Sequence, residues 1–236
     1  MALTLIIGNK NYSSWSLRPW LLMTELGIAF EETRLRFDFT EGSPFRQAVA
    51  RLSPAGKVPV LVDDGFAVWD TLAITEYLHD RFPALNVWPQ APQSRARARS
   101  LCAEMHSGFG ALRNHCPMNL EASLPEVGAR LMKEQDDLRR DLARIDQMWS
   151  EQLRSDGGPM LFGAFSAADA YFAPVCTRIR TYALPVSAAV GGYVDRVHAL
   201  AGFQHWRAEA LAEKDFLDFD EPYRNGPGTA HDGAAA

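Results

Sequence analysis

Residues 56–74 read GKVPVLVDDGFAVWDTLAI, and this stretch decides the fold. Its opening run, 58–62, is rich in valine and predicts a strand. The polar residues 63–65 end in glycine and form a hairpin turn signal, after which 66–69 predict the returning strand. Apolar side chains then recur at helical spacing over 71–82. The stretch therefore predicts a β-hairpin followed directly by a helix.

The segment before this stretch alternates strand and helix signals. Ser16 is a good N-cap and opens a predicted helix that has Pro19 in its first turn and ends at Gly27. The other predicted elements are a buried strand at residues 3–8, a strand at 30–37 and a short helix at 43–52. The order β-α-β-α-β-β-α predicts an α/β domain built on a mixed four-stranded sheet.

The remainder of the chain has the pattern of an all-helical domain. Residues 94–112 and 126–153 predict two long amphipathic helices, and Ser166-Ala167-Ala168-Asp169 is a capping box before an apolar helix. The predicted organisation is an α/β domain at 1–82, a linker with three prolines at 83–93, an all-helical domain at 94–223 and a mobile Gly- and Ala-rich tail at 224–236.

Composition and charge exclude several classes of protein. The formal net charge is -5, so we expect no nucleic-acid or membrane partner. The three widely spaced cysteines and the scattered histidines predict no disulfide framework and no metal. The apolar run at residues 3–7 is too short for a signal peptide, and a cytoplasmic protein is expected.

Val58-Pro59 is the first candidate for a binding role. A proline at the head of a strand cannot donate to a ladder, so it lies at an edge or in a turn. If the bond is cis, the backbone of Val58 points out of the sheet and can pair with an extended peptide. The alternative is an ordinary trans proline at a strand start.

Asp70-Thr71 lies between a strand and a helix start. Thr71 is a plausible N-cap, and its hydroxyl with the free N–H groups that follow makes an anion site. Asp70 adds a negative charge beside it, so the pair suits the carboxylate and ammonium of an amino-acid head group. The alternative is a simple helix cap.

The loop Ser13-Ser14-Trp15-Ser16 places three hydroxyls just before a helix. A thiolate there gains a hydroxyl hydrogen bond and the favourable end of the helix dipole, which lower the pKa of its thiol. The alternative is turn and capping chemistry. No cysteine occupies the loop, so disulfide exchange through a protein thiol is not expected.

At this point the sequence resembles the cytosolic glutathione transferases, which have a thioredoxin-like N-terminal domain and an all-helical C-terminal domain. The resemblance covers residues 3–220 and is most specific at 56–61, 69–74 and 166–169. The loop at 13–18 is similar to the S-S-C-S-W-R of the zeta class and, more loosely, to the S-P-F of the tau class. The resemblance implies an enzyme that uses glutathione as co-substrate and forms a homodimer.

The resemblance also implies roles for individual residues. Ser13, or alternatively Ser14, would hydrogen-bond the glutathione thiolate. The glutathione-binding residues would be Lys57 at the glycyl carboxylate, Val58 before the cis-proline Pro59, and Asp70 and Thr71 at the γ-glutamyl group. Asp169 would be structural. Asp-Thr departs from the family's Glu/Gln-Ser pair, and Trp15 stands where the zeta class has cysteine.

The electrophile would lie between the domains, against the first helix of the helical part. His106, Gly110 and Arg113 share one face of that predicted helix, and Phe109 lies beside it. We take Trp15, His106, Phe109, Arg113 and Arg178 as candidate substrate-binding residues. The alternatives are a kinked helix with a core-edge histidine, and surface ion pairs for Arg178 and Arg180.

Three functions remain open. The first is a transferase that conjugates glutathione to small electrophiles. The second is a zeta-like cis-trans isomerase of the maleylacetoacetate isomerase type, in which glutathione is not consumed. The third is a non-catalytic module that binds partners or apolar ligands.

Overall fold

The hairpin of residues 56–74 forms one side of a four-stranded mixed sheet in the computed structural model, which describes residues 3–226. The strands are β1 (Leu3–Ile7), β2 (Phe30–Arg34), β3 (Val60–Asp63) and β4 (Phe66–Trp69), in the order β2-β1-β3-β4. β1 pairs parallel with β2 and antiparallel with β3, which pairs antiparallel with β4. Asp64 and Gly65 both have positive φ, at 50° and 87°, as a two-residue type I′ turn requires. The predicted mixed sheet is confirmed.

Three helices accompany the sheet: α1 (Ser14–Glu25), α2 (Pro44–Leu52) and α3 (Thr71–Arg81). The prediction that α1 begins at Ser16 is wrong, because the Leu17 N–H already donates to the Ser13 carbonyl at 3.1 Å and Ser13 is the N-cap. Pro19 therefore lies in the second turn of the helix. Its ring removes one backbone donor there, which the surrounding core packing offsets.

The rest of the described chain is helical. Its helices are α4 (Pro92–Ser107), α5 (Gly110–His115), α6 (Pro125–Glu134), α7 (Asp136–Asp156), α8 (Ala167–Thr181), α9 (Ala188–Ala199) and α10 (Ala201–Glu213), followed by a 3-10 turn at Asp218–Asp220. The sheet with α1–α3, followed by these helices, is the predicted fold class.

Both long helices predicted in this part are interrupted. The helix predicted at 94–112 ends at Ser107, because Gly108 is extended and Phe109 is left-handed with φ 52°. The helix predicted at 126–153 breaks at Gln135, which is also extended. Two aspartates start the next helix directly after that break, where the helix dipole favours acidic side chains.

The capping box at the start of α8 is confirmed. Asp169 accepts from the Ser166 N–H at 2.9 Å, and the Ser166 hydroxyl accepts from the Ala168 N–H. The carboxylate of Asp169 also accepts from the Leu161 N–H and the Tyr193 hydroxyl. Burial raises the pKa of Asp169 to about 6, but its hydrogen bonds are all to neighbouring structural groups. Asp169 therefore has a structural role.

The C-terminal segment packs back onto the N-terminal loop. Glu221 is buried and accepts hydrogen bonds from the Tyr12 hydroxyl at 2.7 Å and from the Asn119 amide at 2.8 Å. Arg224 is buried too and pairs with both Glu221 and Glu121. Arg224 thus departs from the tail predicted at 224–236; residues 227–236 of that tail lie outside the described residues.

Candidate functional site

Two adjoining cavities lie beside α1 and share Trp15, Lys57 and Val58 in their walls. The first has a volume of about 430 Å³ and is also lined by Pro59, Asp70, Thr71 and His106; we call it the α3 cavity. The second has a volume of about 500 Å³ and is also lined by Ser13, Ser14, Phe37, Phe39, Arg113 and Arg178; we call it the serine cavity. The structure therefore brings together most of the residues selected from the sequence.

Asp70 and Thr71 form the start of α3 in the α3 cavity. Asp70 is the N-cap, with φ 74°, and its Oδ1 accepts from the Leu72 N–H at 2.8 Å. The prediction that Thr71 is the N-cap is therefore wrong, because Thr71 is the first helical residue. The N–H of Thr71 has no partner among residues 3–226. An exposed carboxylate thus lies beside a free N–H and a hydroxyl at a helix N-terminus.

The loop before α1 supplies the serines of the serine cavity. Ser13 is the N-cap of α1, but its side chain makes no capping bond. Its hydroxyl instead donates to the Ser16 Oγ at 2.7 Å, and that oxygen also accepts from the Gly8 N–H at 3.2 Å. Ser14 is buried against the cavity, and the described residues offer its hydroxyl no hydrogen-bond partner. Both hydroxyls therefore lie where the positive end of the α1 dipole points.

Val58 and Pro59 precede β3, and the peptide bond between them is cis. Sheet pairing begins only at Val60, and within residues 3–226 the backbone of Val58 has no hydrogen-bond partner. Lys57 beside it is exposed and forms no ion pair with the described residues. An extended peptide in the cavity would meet a free backbone edge next to a cation.

Three arginines surround the ring of Trp15 or lie close to it. The guanidinium of Arg18 stacks on Trp15 with its central carbon 3.8 Å from the ring centre, and Arg113 lies at 5.7 Å. Arg178 lines the serine cavity. Within the described chain none of the three pairs with a carboxylate, and both terminal nitrogens of Arg18 are buried without a partner. Burial, together with the other two charges, lowers the pKa of Arg18 to about 9. The site therefore carries three guanidinium groups without a carboxylate at ion-pair distance, and Asp220 in the wall of the serine cavity is an acid whose charge acts on Arg178.

His106 and Arg113 lie on either side of the break between α4 and α5 rather than on one continuous helix face. Both still reach Trp15: the His106 ring centre is 5.2 Å from that of Trp15, edge to face. Arg113 Nη1 donates to the His106 carbonyl at 3.5 Å across the break. Phe109 is buried in the core and lines neither of the two cavities.

Arg178 and Arg180 have different surroundings. Arg178 is buried, and its guanidinium donates to the carbonyls of Cys116 at 2.8 Å and Pro174 at 3.3 Å. Burial lowers its pKa to about 10. The surface ion pair considered for both residues is found only at Arg180, which pairs with Asp195 at 2.6 Å.

A chain of short polar contacts joins the start of α3 to the helical part. The Oη of Tyr171 on α8 is 2.5 Å from Thr71 Oγ1 and 3.0 Å from His106 Nδ1. The opposite ring nitrogen, His106 Nε2, is 3.1 Å from Asp70 Oδ2. Three polar contacts thus link Asp70, His106, Tyr171 and Thr71, and the peptide bond between Asp70 and Thr71 closes the ring; we call this the ring of contacts.

Sequence reasoning missed Tyr171 and the aromatic wall of the serine cavity. Tyr171 follows the capping box on an apolar helix, where a tyrosine hydroxyl that is buried needs a polar partner. That requirement was the available signal, but it does not name the partner. Phe37, Phe39 and Phe45 pack on one another with ring centres 5.4–5.5 Å apart.

Residues 3–226 contain neither a membrane-spanning helix nor a metal-binding cluster. No helix there combines the length and the apolarity needed to cross a membrane. The same residues hold no cluster of three histidine, cysteine or acidic side chains arranged to bind a metal ion.

Comparison with known proteins places this architecture. Residues 12–81 match the sequence model of the glutathione S-transferase N-terminal domain. The chain is 33% identical over 105 residues to the maleylacetoacetate isomerase of Rattus norvegicus, covering 44% of this chain and 48% of the isomerase. It is 36% identical over 78 residues to the dichloromethane dehalogenase of Methylorubrum extorquens, covering 32% of this chain and 26% of the dehalogenase. The chain therefore spans half or less of the length of these curated relatives.

A solved structure resembles the chain over most of its length. A glutathione transferase homologue from Burkholderia, crystallised with bound glutathione, superposes with a TM-score of 0.66 at 23% identity and covers 90% of this chain and 99% of its own. At that identity the likeness shows the fold alone. The fold and the two cavities define a thioredoxin-like domain joined to an all-helical domain, with a polar pocket at the start of α3. Residues 12–81 are thus similar in sequence to the glutathione S-transferase N-terminal domain, and the whole described chain shares the fold of solved glutathione transferases.

Proposed function

We propose that this protein binds glutathione across the two cavities and conjugates its thiolate to small electrophiles. The observation that carries the proposal is the shared wall of Trp15, Lys57 and Val58, which makes the two cavities neighbours. One end offers groups for an amino-acid head group, and the other offers two serine hydroxyls at a helix N-terminus. A γ-glutamyl-cysteinyl-glycine tripeptide needs such an arrangement.

In this proposal the γ-glutamyl group lies against Asp70 and Thr71. The cysteinyl backbone pairs with Val58 ahead of Pro59, and the glycyl carboxylate lies near Lys57. Ser13 donates its hydroxyl to the thiolate, with Ser14 as the alternative donor. No metal is required, since positioning and anion stabilisation by the hydroxyl, the α1 dipole and the nearby arginines lower the barrier.

The second candidate is a glutathione-dependent cis-trans isomerase, and Arg178 favours it. This arginine lines the cavity beside the serines and forms no ion pair with a carboxylate of the described chain, although the charge of Asp220 in the same cavity acts on it. A carboxylated substrate would supply the missing negative charge. The thiolate would add to a cis double bond, permit rotation and leave again, so that glutathione is regenerated. The matched relative named maleylacetoacetate isomerase is consistent with this alternative.

The third candidate is a non-catalytic binding module. The joint presence of Ser13, Lys57, Val58 and the Asp70-Thr71 pair opposes this alternative, because a scaffold needs none of these groups together.

Calorimetry of glutathione binding, with a chlorodinitrobenzene conjugation assay alongside, tests the proposal. Wild type should bind glutathione, and Ser13→Ala should bind it while losing about a hundred-fold in kcat/KM. Ser14→Ala tests the alternative donor, and the exposed Ser100→Ala on α4 is the matched control. If the Ser13→Ala variant conjugates glutathione as fast as wild type, either Ser14 donates to the thiolate or no serine hydroxyl is needed. Absence of glutathione binding by wild type would refute the enzyme and favour the binding module.

We also propose a homodimer, a cytoplasmic location, and a small electrophile as the second substrate. Sedimentation of the purified chain tests the oligomeric state: a single species of the monomer mass would contradict the dimer. Product analysis with a carboxylated cis-alkene separates conjugation from isomerisation, since only conjugation consumes glutathione.

A further inference from the structure

In the ring of contacts at the start of α3, the number of hydroxyl and imidazole protons limits which groups can donate a hydrogen bond to a ligand. Tyr171 Oη lies between Thr71 Oγ1 and His106 Nδ1, and it has one proton to give. Burial raises the pKa of Tyr171 well above its usual value, so the hydroxyl keeps that proton near neutral pH. The directions of the two bonds that Tyr171 makes therefore depend on the protonation of His106.

With a neutral imidazole, the ring proton lies on Nε2, because a lone pair there would face the Asp70 carboxylate at 3.1 Å. Nδ1 is then an acceptor, and Tyr171 donates to it. The Tyr171 oxygen in turn accepts from Thr71. In this state the Thr71 hydroxyl donates its hydrogen bond to Tyr171 and therefore cannot donate to a ligand.

With a protonated imidazole, both ring nitrogens donate. Nδ1 now donates to Tyr171, so the Tyr171 proton turns to Thr71 Oγ1. The Thr71 hydroxyl accepts that hydrogen bond, so its own O–H can point into the α3 cavity, which Thr71 lines. A carboxylate in the cavity would then receive a hydrogen bond that it does not receive in the neutral state.

We propose that His106 and Tyr171 are positioning residues that decide whether Thr71 donates a hydrogen bond, and that binding of the γ-glutamyl carboxylate takes up a proton on His106. The inference rests on the proposed function, because it assigns a ligand carboxylate to Thr71. It adds two residues of the helical part to the binding of the head group and makes glutathione affinity depend on pH.

The charged and titratable groups around His106 come from four other helices and from the loop before β3. They are Asp70 at the start of α3, Tyr171 on α8, Arg113 on α5, Arg18 on α1 beneath Trp15, and Lys57 across the cavity. Carboxyl, phenol, ammonium and guanidinium groups ordinarily change charge outside the range from about pH 5 to about pH 8, whereas imidazole changes within it. Asp220 in the serine cavity also titrates in that range, because burial raises its pKa to about 6, so the His106→Asn variant is needed to assign the exchanged proton to the histidine.

Calorimetry with S-methylglutathione isolates this end of the ligand, because its thioether has no thiol proton to lose. Binding is measured from about pH 5.5 to about pH 8 in two buffers of different ionisation enthalpy. The expected result for wild type is the uptake of a fraction of one proton per site and an affinity that weakens as the pH rises. Proton release, or no exchange at any pH, would overturn the inference.

Tyr171→Phe removes the hydroxyl that occupies Thr71. This variant should exchange no proton on binding and should bind S-methylglutathione about three- to ten-fold more tightly than wild type at about pH 8. A merely structural role predicts weaker binding at every pH, which would overturn the inference. Tyr193→Phe, which removes another buried hydroxyl remote from the cavity, is the matched control.

His106→Asn replaces the titrating ring with an amide and should abolish proton uptake while binding persists. The control is His205→Asn, because His205 is also close to a carboxylate, Glu209, but lies outside both cavities. If no variant and no pH gives binding, the proposed function fails. If wild type binds without proton exchange, only this inference fails.

Discussion

The Ser13 hydroxyl donates to the Ser16 Oγ at 2.7 Å, so the candidate thiolate donor is already engaged within its own loop. Ser16 competes with a thiolate for that proton. The Ser16→Ala variant should leave Ser13 free to donate, which lowers the pKa of bound glutathione's thiol. It should also cost about 1–2 kcal/mol of stability, because the Gly8 N–H loses its acceptor.

Thiolate absorbance against pH, with glutathione bound, measures this effect. Ser100→Ala is the control, because it removes an exposed hydroxyl on α4 that lies outside both cavities. A thiol pKa that rises in Ser16→Ala would mean that Ser16 holds Ser13 in position rather than competing with the thiolate.

Arg178 should discriminate between charged and neutral electrophiles. The Arg178→Met variant is expected to raise KM for a carboxylated electrophile about ten-fold or more, while KM for chlorodinitrobenzene and the affinity for glutathione stay within about two-fold. The reason is that Arg178 lines the serine cavity with no carboxylate partner among residues 3–226.

The matched control for this charge is Arg180→Met, which removes an exposed arginine paired with Asp195. Thermal melting of both variants separates misfolding from loss of binding, and Arg178→Lys restores the charge. Equal KM changes for both electrophiles would remove Arg178 from the substrate site.

Three turns and helix ends between residues 64 and 109 show how much of the backbone conformation could be predicted from the sequence. The Asp64-Gly65 turn was predictable because its positive φ angles are a local property of those residues. The choice between Asp70 and Thr71 as N-cap could not be predicted, because both residue types are good caps. Asp70 is the N-cap in the structure, where it adopts φ 74°. The left-handed Phe109 is likewise disfavoured locally and is imposed by core packing.

The candidate site divides in the same way. Ser13, Val58 and the Asp70-Thr71 pair sit at element boundaries, which sequence patterns mark well. Tyr171 could not be placed, because its partner Thr71 is 100 residues away and only the packing of α8 brings them together.

Glu221 should be a major source of stability for the loop before α1. The Glu221→Gln variant leaves Arg224 with Glu121 as its remaining carboxylate, and it replaces an acceptor of the Tyr12 hydroxyl. We expect a loss of about 3 kcal/mol in the free energy of unfolding, measured by urea denaturation. The less buried Glu121→Gln is the control and should cost less than about 1 kcal/mol; equal losses would contradict the central position of Glu221.

His198 should make the fold sensitive to acid. Burial lowers its pKa from 6.5 to about 4, and the buried Nε2 has no partner. Between these values the unfolded chain binds more protons, so this contribution to stability is complete above about pH 6.5 and is lost as the pH falls toward 4. The loss approaches about 3 kcal/mol.

Urea denaturation of wild type and His198→Gln from about pH 7 to about pH 4.5 tests this sensitivity. The variant should show a shallower decline, whereas the exposed His205→Asn should follow wild type. Parallel curves for all three proteins would show that His198 does not contribute to the pH dependence of the free energy of unfolding.

The bond between Tyr12 and Glu221 joins residues 209 positions apart in the chain. A ribosome therefore finishes the α/β part, with Ser13 and Ser14 in it, long before the partner of the neighbouring tyrosine has been translated. The nascent chain can form its sheet early, but the loop before α1 lacks its buried anchor until Glu221 has been translated. The loop before α1 thus reaches its final packing only in chains that have been translated past Glu221.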